Sequence, residues 1–367
     1  MNLKTAWRYI EEDNVSAAYG LATDEFLMNA SSCDLAVATL RLYTYRDTCT
    51  LVGRFQNIHA ELDLETCRRE NIHFGRRLTG GGAIIMGQHQ LGICFATANT
   101  FGSATTRELY HILSGPVLKA LEKLGIRAAL QGKNDLETGG KKIAGLGIYV
   151  NPQGAIQFHA SLLVDLDIPL MLKVLSVPVQ KLGDKAAGKV QERMTTVRRE
   201  IGQKITTEEV RQLVKNAFEE YFQIRFANEP LTAAEQNSIG KIAADRYQSQ
   251  EWLFQNTPTP DMAGMGIKKT PAGLLRAYVA LKGETIKSAL ITGDFCENEN
   301  LFRQIEARLK WSRLDKEKVA QTIRQVFSQF PQTDSGLTPD DILDAVWRAA
   351  MGAMKEVRHV KNGACFA

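Results

Sequence analysis

Arg76-Arg77-Leu78-Thr79-Gly80-Gly81-Gly82-Ala83-Ile84-Ile85-Met86 sets two arginines ahead of three consecutive glycines and an apolar run. Three glycines in a row remove every Cβ from a stretch of backbone. That stretch can adopt positive φ and bring its N–H groups close to an anion. Arg76 or Arg77 would add a planar, permanently charged fork suited to phosphate or carboxylate. The same residues also suit a tight hairpin turn with no ligand, and the local pattern alone does not separate the two. Two standard glycine motifs fail. Ile85 stands where a dinucleotide fingerprint needs Gly or Ala, and no Gly-Lys-Ser/Thr follows the glycines.

Working outward, Gly132-Lys133-Asn134-Asp135-Leu136 is followed by Gly139-Gly140-Lys141-Lys142-Ile143-Ala144-Gly145. Asn-Asp, a Gly-Gly turn and a strand are ordinary hairpin grammar. Strand alternation nevertheless places Lys142 and Ala144 on the face opposite Ile143. With Ile143 in the core, Lys142 faces small residues and is open to a ligand, while Lys141 points the other way. A lysine there is a compact cation suited to charge developing on a phosphate. Asp135 is a candidate oxygen ligand for magnesium. Between Lys173 and Lys204, eight basic residues (Lys173, Lys181, Lys185, Lys189, Arg193, Arg198, Arg199, Lys204) stand against three acidic ones (Asp184, Glu192, Glu200), a net +5 against +4 for the whole chain. Val177-Pro178 and the glycines at 183 and 188 make this a loop. A basic loop is usually just solvated, but it also suits phosphate or an acidic protein surface.

The rest of the chain reads as a globular protein of 367 residues, long enough for two domains. With 44% hydrophobic and 23% charged residues, it is neither collagen, coiled coil nor disordered. The near-balance of 45 Lys+Arg and 41 Asp+Glu argues against a dedicated nucleic-acid binder. Cys33, Cys49, Cys67, Cys94, Cys296 and Cys365 include no C-x-x-C pair, which argues against a disulfide framework or structural zinc and fits a reducing cytoplasm. Neither a signal peptide nor a membrane span is expected. Helical spacing marks Ser16 to Ala30, Leu62 to Glu70, Thr105 to Gly125 and Thr206 to Phe222. Strands are expected at Ala36 to Tyr45, Thr50 to Gly53, Leu91 to Ala96, 141–149 and 156–167. The pattern weakens over 228–250. A new unit then opens at Trp252, with strands at Leu274 to Leu281 and Thr285 to Ile291 and helices at 298–310, 315–329 and 338–356. The expected division is a large mixed α/β domain over 1–247 and a small one over 248–367. The chain has no H-E-x-x-H and no G-x-S-x-G, and its six histidines show no metal-ligand spacing. His159, in Phe158-His159-Ala160-Ser161-Leu162-Leu163, taken alone reads as structural, and Cys94 as core packing.

Taken in order, these motifs resemble the lipoate–protein ligase A family. Four matches carry the resemblance. They are Gly53-Arg54-Phe55-Gln56-Asn57, the arginine-rich triple-glycine stretch, Asn134-Asp135-Leu136 with Lys142-Ile143-Ala144-Gly145, and the Phe158–Leu163 stretch. The segment Val177 to Gly202 is similar to the family's nucleotide-binding loop, and Trp252 onward to its small accessory domain. The resemblance implies an α/β fold of the α+β type, with mixed, largely antiparallel sheets flanked by helices and a biotin/lipoate ligase-like large domain. It implies an enzyme that uses ATP and Mg²⁺ to convert lipoate to lipoyl-AMP; the cytoplasm is expected from the cysteines, and a monomer by default. The enzyme would then pass the lipoyl group to a lysine of a lipoyl-domain or glycine-cleavage-H-like carrier. On this resemblance Lys142 is catalytic. Arg76, Arg77, Thr79, Gly80, Gly81, Gly82, Asn134, Asp135, Ala144 and Lys185 hold ATP or the acyl-adenylate, and Asp135 the metal. Arg54, Ile84, Leu91, His159 and Ser161 line the lipoate pocket.

Two departures stand out. Met86-Gly87 replaces the His-Asp that often follows the triple-glycine strand, and the loop Gln88-His89-Gln90 is long compared with many relatives. Octanoyl or lipoyl transferases of the same superfamily are the nearest alternative. They place a nucleophilic cysteine just before the segment matching Lys133-Asn134-Asp135, or in a later Pro-Cys-Gly. Here the first position reads Ala128-Ala129-Leu130-Gln131-Gly132 and the second motif does not occur. Biotin ligases usually carry a different glycine–arginine loop. A non-catalytic lipoyl-binding protein would have no need of Lys142 and Asn134-Asp135.

Overall fold

The computed structural model describes residues 6–32, 37–176, 192–295, 299–330 and 336–363. Its backbone clusters into two compact units that are not produced by a single cut of the chain. The larger takes Met1–Val52, Glu61–Thr79 and Ala83–Leu253; the smaller takes Gly53–Ala60, Gly80–Gly82 and Phe254–Ala367.

The larger unit contains β1 (Ala6–Val15), β2 (Thr39–Tyr45), β3 (Cys49–Val52), β4 (His73–Arg76), β5 (Ile84–Met86) and β6 (Gln90–Thr97). After these come β7 (Ala129–Gln131), β8 (Asp135–Thr138), β9 (Lys141–Val150), β10 (Ile156–Leu163) and β11 (Arg225–Asn228). Eight strands form one sheet in the order β11-β1-β2-β6-β10-β9-β8-β7, and β4-β3-β5 form a second. In the large sheet β1 runs parallel to β2 and β11, and the other pairings are antiparallel. The mixed, antiparallel-dominated α/β class read from the sequence is the class observed.

Alternation assigns the two faces of the large sheet. On one, Tyr43 and Tyr45 of β2 and Cys94 and Ala96 of β6 pack with Leu21, Ala22, Leu27 and Met28 of helix α1 (Ala17–Ala30). Leu51 and Met86 of the second sheet join this cluster. On the other, Leu91, Ile93 and Phe95 of β6, Leu146 of β9 and Phe158, Ala160 and Leu162 of β10 form the main core. Helices α2 (Thr106–Lys123) and α3 (Thr207–Phe222) close that core with Leu113, Val117, Val214 and Phe218. Both helices begin with a reciprocal capping box, Thr105 with Glu108 and Thr206 with Glu209. Such a cap is worth about 1 kcal/mol.

Several short strands and helices escaped the sequence, and two longer elements show why. β1 carries Arg8, Glu11, Glu12 and Asp13, too many charges to read as a strand. Tertiary partners neutralise them. Glu12 receives Arg41 Nε at 2.6 Å, while Glu11 and Asp13 both pair with Arg211. Arg41 is fully buried, donates from Nη1 to Asp24 at 2.7 Å and lies 3.9 Å over the ring of Tyr43. Residues 228–250, where the pattern weakens, contain helix α4 (Ala233–Ile242), which continues as a π-turn over Ala243–Tyr247. Its Thr232–Glu235 capping box repeats the Thr-x-x-Glu pattern that starts the helices after Thr105 and Thr206.

The smaller unit is an antiparallel sheet β12 (Gly264–Thr270), β13 (Gly273–Lys282), β14 (Thr285–Gly293) and β15 (Ser312–Arg313). It packs with helices α5 (Glu299–Leu309), α6 (Lys316–Phe327) and α7 (Pro339–Gly363). Gly264 and Gly266 let α7 lie against β12. A Cβ at either position would overlap the carbonyl oxygen of Ala349 or Ala345.

Candidate functional site

On the α1-facing side of the large sheet, His159 and Ser161 of β10 sit opposite Gly147 and Gly145 of β9. Lys142 reaches the same patch by a route that alternation does not predict. Ala144 pairs with Leu136 but Lys142 pairs with Glu137, so Ile143 is an extra residue in β9. Ile143 and Ala144 are both fully buried in the main core. This is a β-bulge, and it returns Lys142 to the face of Gly145 rather than that of Ala144. The expectation that Lys142 and Ala144 share a face is therefore corrected. The pairing of β10 with β9 ends at Leu162, opposite Ala144, and residues 193–195 take over beside Lys142. Lys142 donates its N–H to Arg193 O at 2.8 Å and accepts from Thr195 N at 2.9 Å.

Lys142 Nζ lies 2.7 Å from Asp135 Oδ1, with the two side chains 26% and 32% exposed. A Cβ built on Gly145 would stand 3.1 Å from this Nζ and 3.3 Å from Ser161 Oγ, so the ammonium lies over bare backbone beside a hydroxyl. Ser161 Oγ donates to Gly145 O at 3.3 Å. Asn134 brackets the same strand: its Nδ2 donates to Leu146 O at 2.6 Å, and its own carbonyl accepts Leu146 N–H at 2.8 Å.

His159 approaches Thr79. Its Nε2 is 3.3 Å from Thr79 Oγ1, which accepts from Arg77 Nε at 3.1 Å. Burial, helped by the Arg77 charge, pushes the imidazole down to about 3, so it is neutral at ordinary pH.

Other expected site residues are placed differently. Arg76 is fully buried and donates to the carbonyls of Trp252 and Leu253, while Trp252 Nε1 donates to Arg76 O. It anchors the end of the large unit and is not an exposed fork. Arg77 is 5% exposed, with Nε committed to Thr79 and Nη1 to Leu51 O at 2.9 Å. Ala144 lies in the main core and so does Leu91, on the face away from His159, because β6 turns Leu91, Ile93 and Phe95 inward together. Neither side chain reaches the site face. Ile84 is half-buried against the α1-side core. Arg54 and Gly80–Gly82 belong to the smaller unit. There Gly81 has φ 91° and packs its carbonyl where a Cβ on Gly53 would fall. Its N–H is donated to Phe295 O at 3.2 Å, so that amide is not part of an anion cradle. Lys185 lies outside the described residues. The sequence did not single out Gly147, which has only size as a signal; it placed 193–195 in a basic loop, and the pairing of that stretch with Lys142 is long-range.

Among the described residues, one group of three carboxylates could hold a metal ion, namely Glu11, Asp13 and Glu208. Arg211 already pairs with all three. Asp135 has no second carboxylate grouped with it there. It suits a magnesium ion only as a single ligand, the others coming from substrate oxygens and water.

These features define a protein of the biotin/lipoate protein ligase fold. Two solved structures share that fold. One is the bipartite lipoate protein ligase of Thermoplasma acidophilum, described with its E2 lipoyl domain, at TM-score 0.63 and 25% identity over 70% of this chain and 99% of that one. The other is LipL1 of P. falciparum in complex with lipoate, at TM-score 0.67 and 18% identity over 88% and 94%, a likeness of fold alone. The chain belongs to the lipoyl protein ligase A/B family. The model of that catalytic domain matches residues 16–219, and the model of the bacterial lipoate protein ligase C-terminus matches 259–346. Relatives include the lipoate-protein ligase LplJ of Bacillus subtilis, 25% identical over 83% of this chain and 90% of its own length. They also include the octanoyltransferase LipM of Geobacillus kaustophilus, 25% identical over 69% and 99%. The family thus holds both ligases and transferases. No described helix is long and apolar enough to cross a membrane.

Proposed function

We propose that this chain is an ATP-dependent lipoate–protein ligase. In the first step a lipoate carboxylate oxygen attacks the α-phosphorus of ATP, giving lipoyl-AMP and releasing pyrophosphate. In the second, the ε-amine of an acceptor lysine attacks the acyl carbon. An amide forms, AMP leaves with the electron pair of the broken acyl–phosphate bond, and one proton is lost from the nitrogen. Two anions must meet in the first step, so a fixed cation has the largest effect. Lys142 supplies it over the bare backbone of Gly145, and Ser161 Oγ, on exchanging Gly145 O for substrate, donates its hydroxyl to the same acyl carboxyl. Asn134 Oδ1 and Asp135 are the nucleotide-side groups. If Mg²⁺ binds at Asp135, it neutralises phosphate charge, and Lys142 must then exchange Asp135 for substrate oxygens.

The observation that carries the ligase reading over transfer is the contrast between Lys142 and the cysteines. Lys142 stands at the site face, ion-paired and part-exposed. Cys49, Cys67 and Cys94, the described cysteines, are buried, and burial pushes all three thiols up, away from the nucleophilic thiolate. The match to LipM keeps octanoyl transfer as the second reading. The Thermoplasma relative is described with an E2 lipoyl domain, and a carrier of that kind is the proposed acceptor, in the cytoplasm. Incubation of the protein with lipoate, ATP and magnesium tests this. Lipoate-dependent pyrophosphate release marks the ligase; acyl transfer from an octanoyl thioester without ATP marks the transferase.

A further inference from the structure

The hydrogen bond between Thr79 and His159 has a direction, and a third residue sets it. Thr79 is 1% exposed, with its hydroxyl between Arg77 Nε at 3.1 Å and His159 Nε2 at 3.3 Å. A guanidinium has donors and no acceptor, so Nε–H points at the hydroxyl oxygen. The hydroxyl hydrogen then has one acceptor in reach among the described residues, His159 Nε2. That nitrogen accepts only if it carries no proton. A neutral ring must then hold its single proton on Nδ1.

The parts of this relay are held independently of any ligand. Arg77 donates its N–H to Val52 O at 3.0 Å and its Nη1 to Leu51 O at 2.9 Å, which pins the guanidinium along β3. Gly147 sets the ring's height over the sheet, since a Cβ there would overlap His159 Nε2. Arg77 stands on the Nε2 side and opposes a second proton, as does burial. On the same face the next charged groups are Lys142 and its partner Asp135.

We propose that Arg77 is a positioning residue that, through Thr79, locks His159 as its Nδ1–H tautomer, so that the site face offers the acyl substrate a hydrogen-bond donor and no base. The identity of that substrate rests on the ligase reading; the tautomer does not. It follows that His159 does not take the proton of the attacking lysine, and the pH–rate profile carries no imidazole inflection between about 5.5 and 7.5.

The test uses the full chain labelled with ¹⁵N-histidine, followed by NMR from pH 5 to 8. The expected spectrum has His159 Nδ1 protonated and Nε2 bare throughout. Thr79→Val keeps the shape and removes the hydroxyl. It should give mixed tautomers and lower kcat/KM for the acyl substrate about tenfold, the value of one neutral hydrogen bond. Arg77→Lys, which keeps the charge but loses Nε–H, should mix the tautomers in the same way. His159→Asn places an amide nitrogen near the position of Nδ1 and should retain most activity, whereas His159→Gln places it near Nε2 and should not. A protonated Nε2 or an imidazolium at pH 7 overturns the proposal, as does an unchanged tautomer in Thr79→Val. The expected tautomer in a protein that never activates lipoate would support the lock and sink the ligase reading instead.

Discussion

Replacing Lys142 with alanine separates catalysis from stability, and the structure gives both magnitudes. The backbone bonds of Lys142 to Arg193 and Thr195 do not involve its side chain. What the substitution removes is one part-exposed ion pair with Asp135. Such a pair contributes about 0–1 kcal/mol, and Asp135 remains in contact with water. Thermal unfolding should therefore move by no more than about 4 °C. Loss of a preorganised cation at developing charge costs about 10²–10³ in rate, or about 2.7–4 kcal/mol. Lipoate-dependent pyrophosphate release should fall by that factor or more, with lipoate affinity changed far less. Lys141→Ala is the control, because Lys141 is exposed and precedes the bulge. Near-normal turnover in Lys142→Ala would refute the reasoning, and so would an equal loss in Lys141→Ala. Unfolding of Lys142→Ala under native conditions would show instead that the residue holds the bulge.

The buried network makes Arg41→Leu costly, because it strands Asp24 in the interior; about 3–5 kcal/mol of stability should be lost in chemical denaturation, and adding Asp24→Asn should restore part of it. Glu306 accepts from Ile291 N at 2.7 Å, and burial raises its carboxyl to about 7. A carboxyl raised in the fold binds its proton more tightly there than in the unfolded chain. Stability should then fall as pH rises from about 4.5 to about 7, and Glu306→Gln should unfold at a higher temperature than the parent at pH 8 but not at pH 4. Glu235 has the opposite sign. Its hydrogen bonds with Arg8 hold it down at about 2, so its contribution is complete above about 4.5 and disappears as pH falls toward about 2. Arg8→Met should flatten that acid limb in pH-dependent denaturation.

Much of the framework was legible because it is local. Capping boxes at Thr105 and Thr206 mark helix starts wherever they lie, and the apolar runs of β6 and β10 read as strands without knowledge of neighbours, but their faces were not legible, since Leu91 was grouped with His159 and lies in the main core. The hairpin around Lys282-Gly283-Glu284 was equally plain. β1 was not, since its acids are compensated by Arg41 and Arg211, which are distant in sequence. At the site, Lys142 was picked on a faulty premise. Ile143 is in the core as expected, but so is Ala144, and only the unequal pairing of β8 with β9 brings the lysine to the right face.

Residue order by itself determined the long helices other than α4, four strands of the large sheet (β2, β6, β9 and β10) and the set of polar groups that resembles a lipoate ligase, because short-range periodicity and motif spacing are properties of the chain. Tertiary structure decided which of those groups are functional candidates. Arg76 and Arg77 are identical on paper to a phosphate fork, yet burial turns one toward the carbonyls of Trp252 and Leu253 and the other toward Leu51 and Thr79. A guanidinium removed from water must find acceptors. The acceptors available to these two come from strands and helix ends up to 177 positions away, which no local pattern encodes.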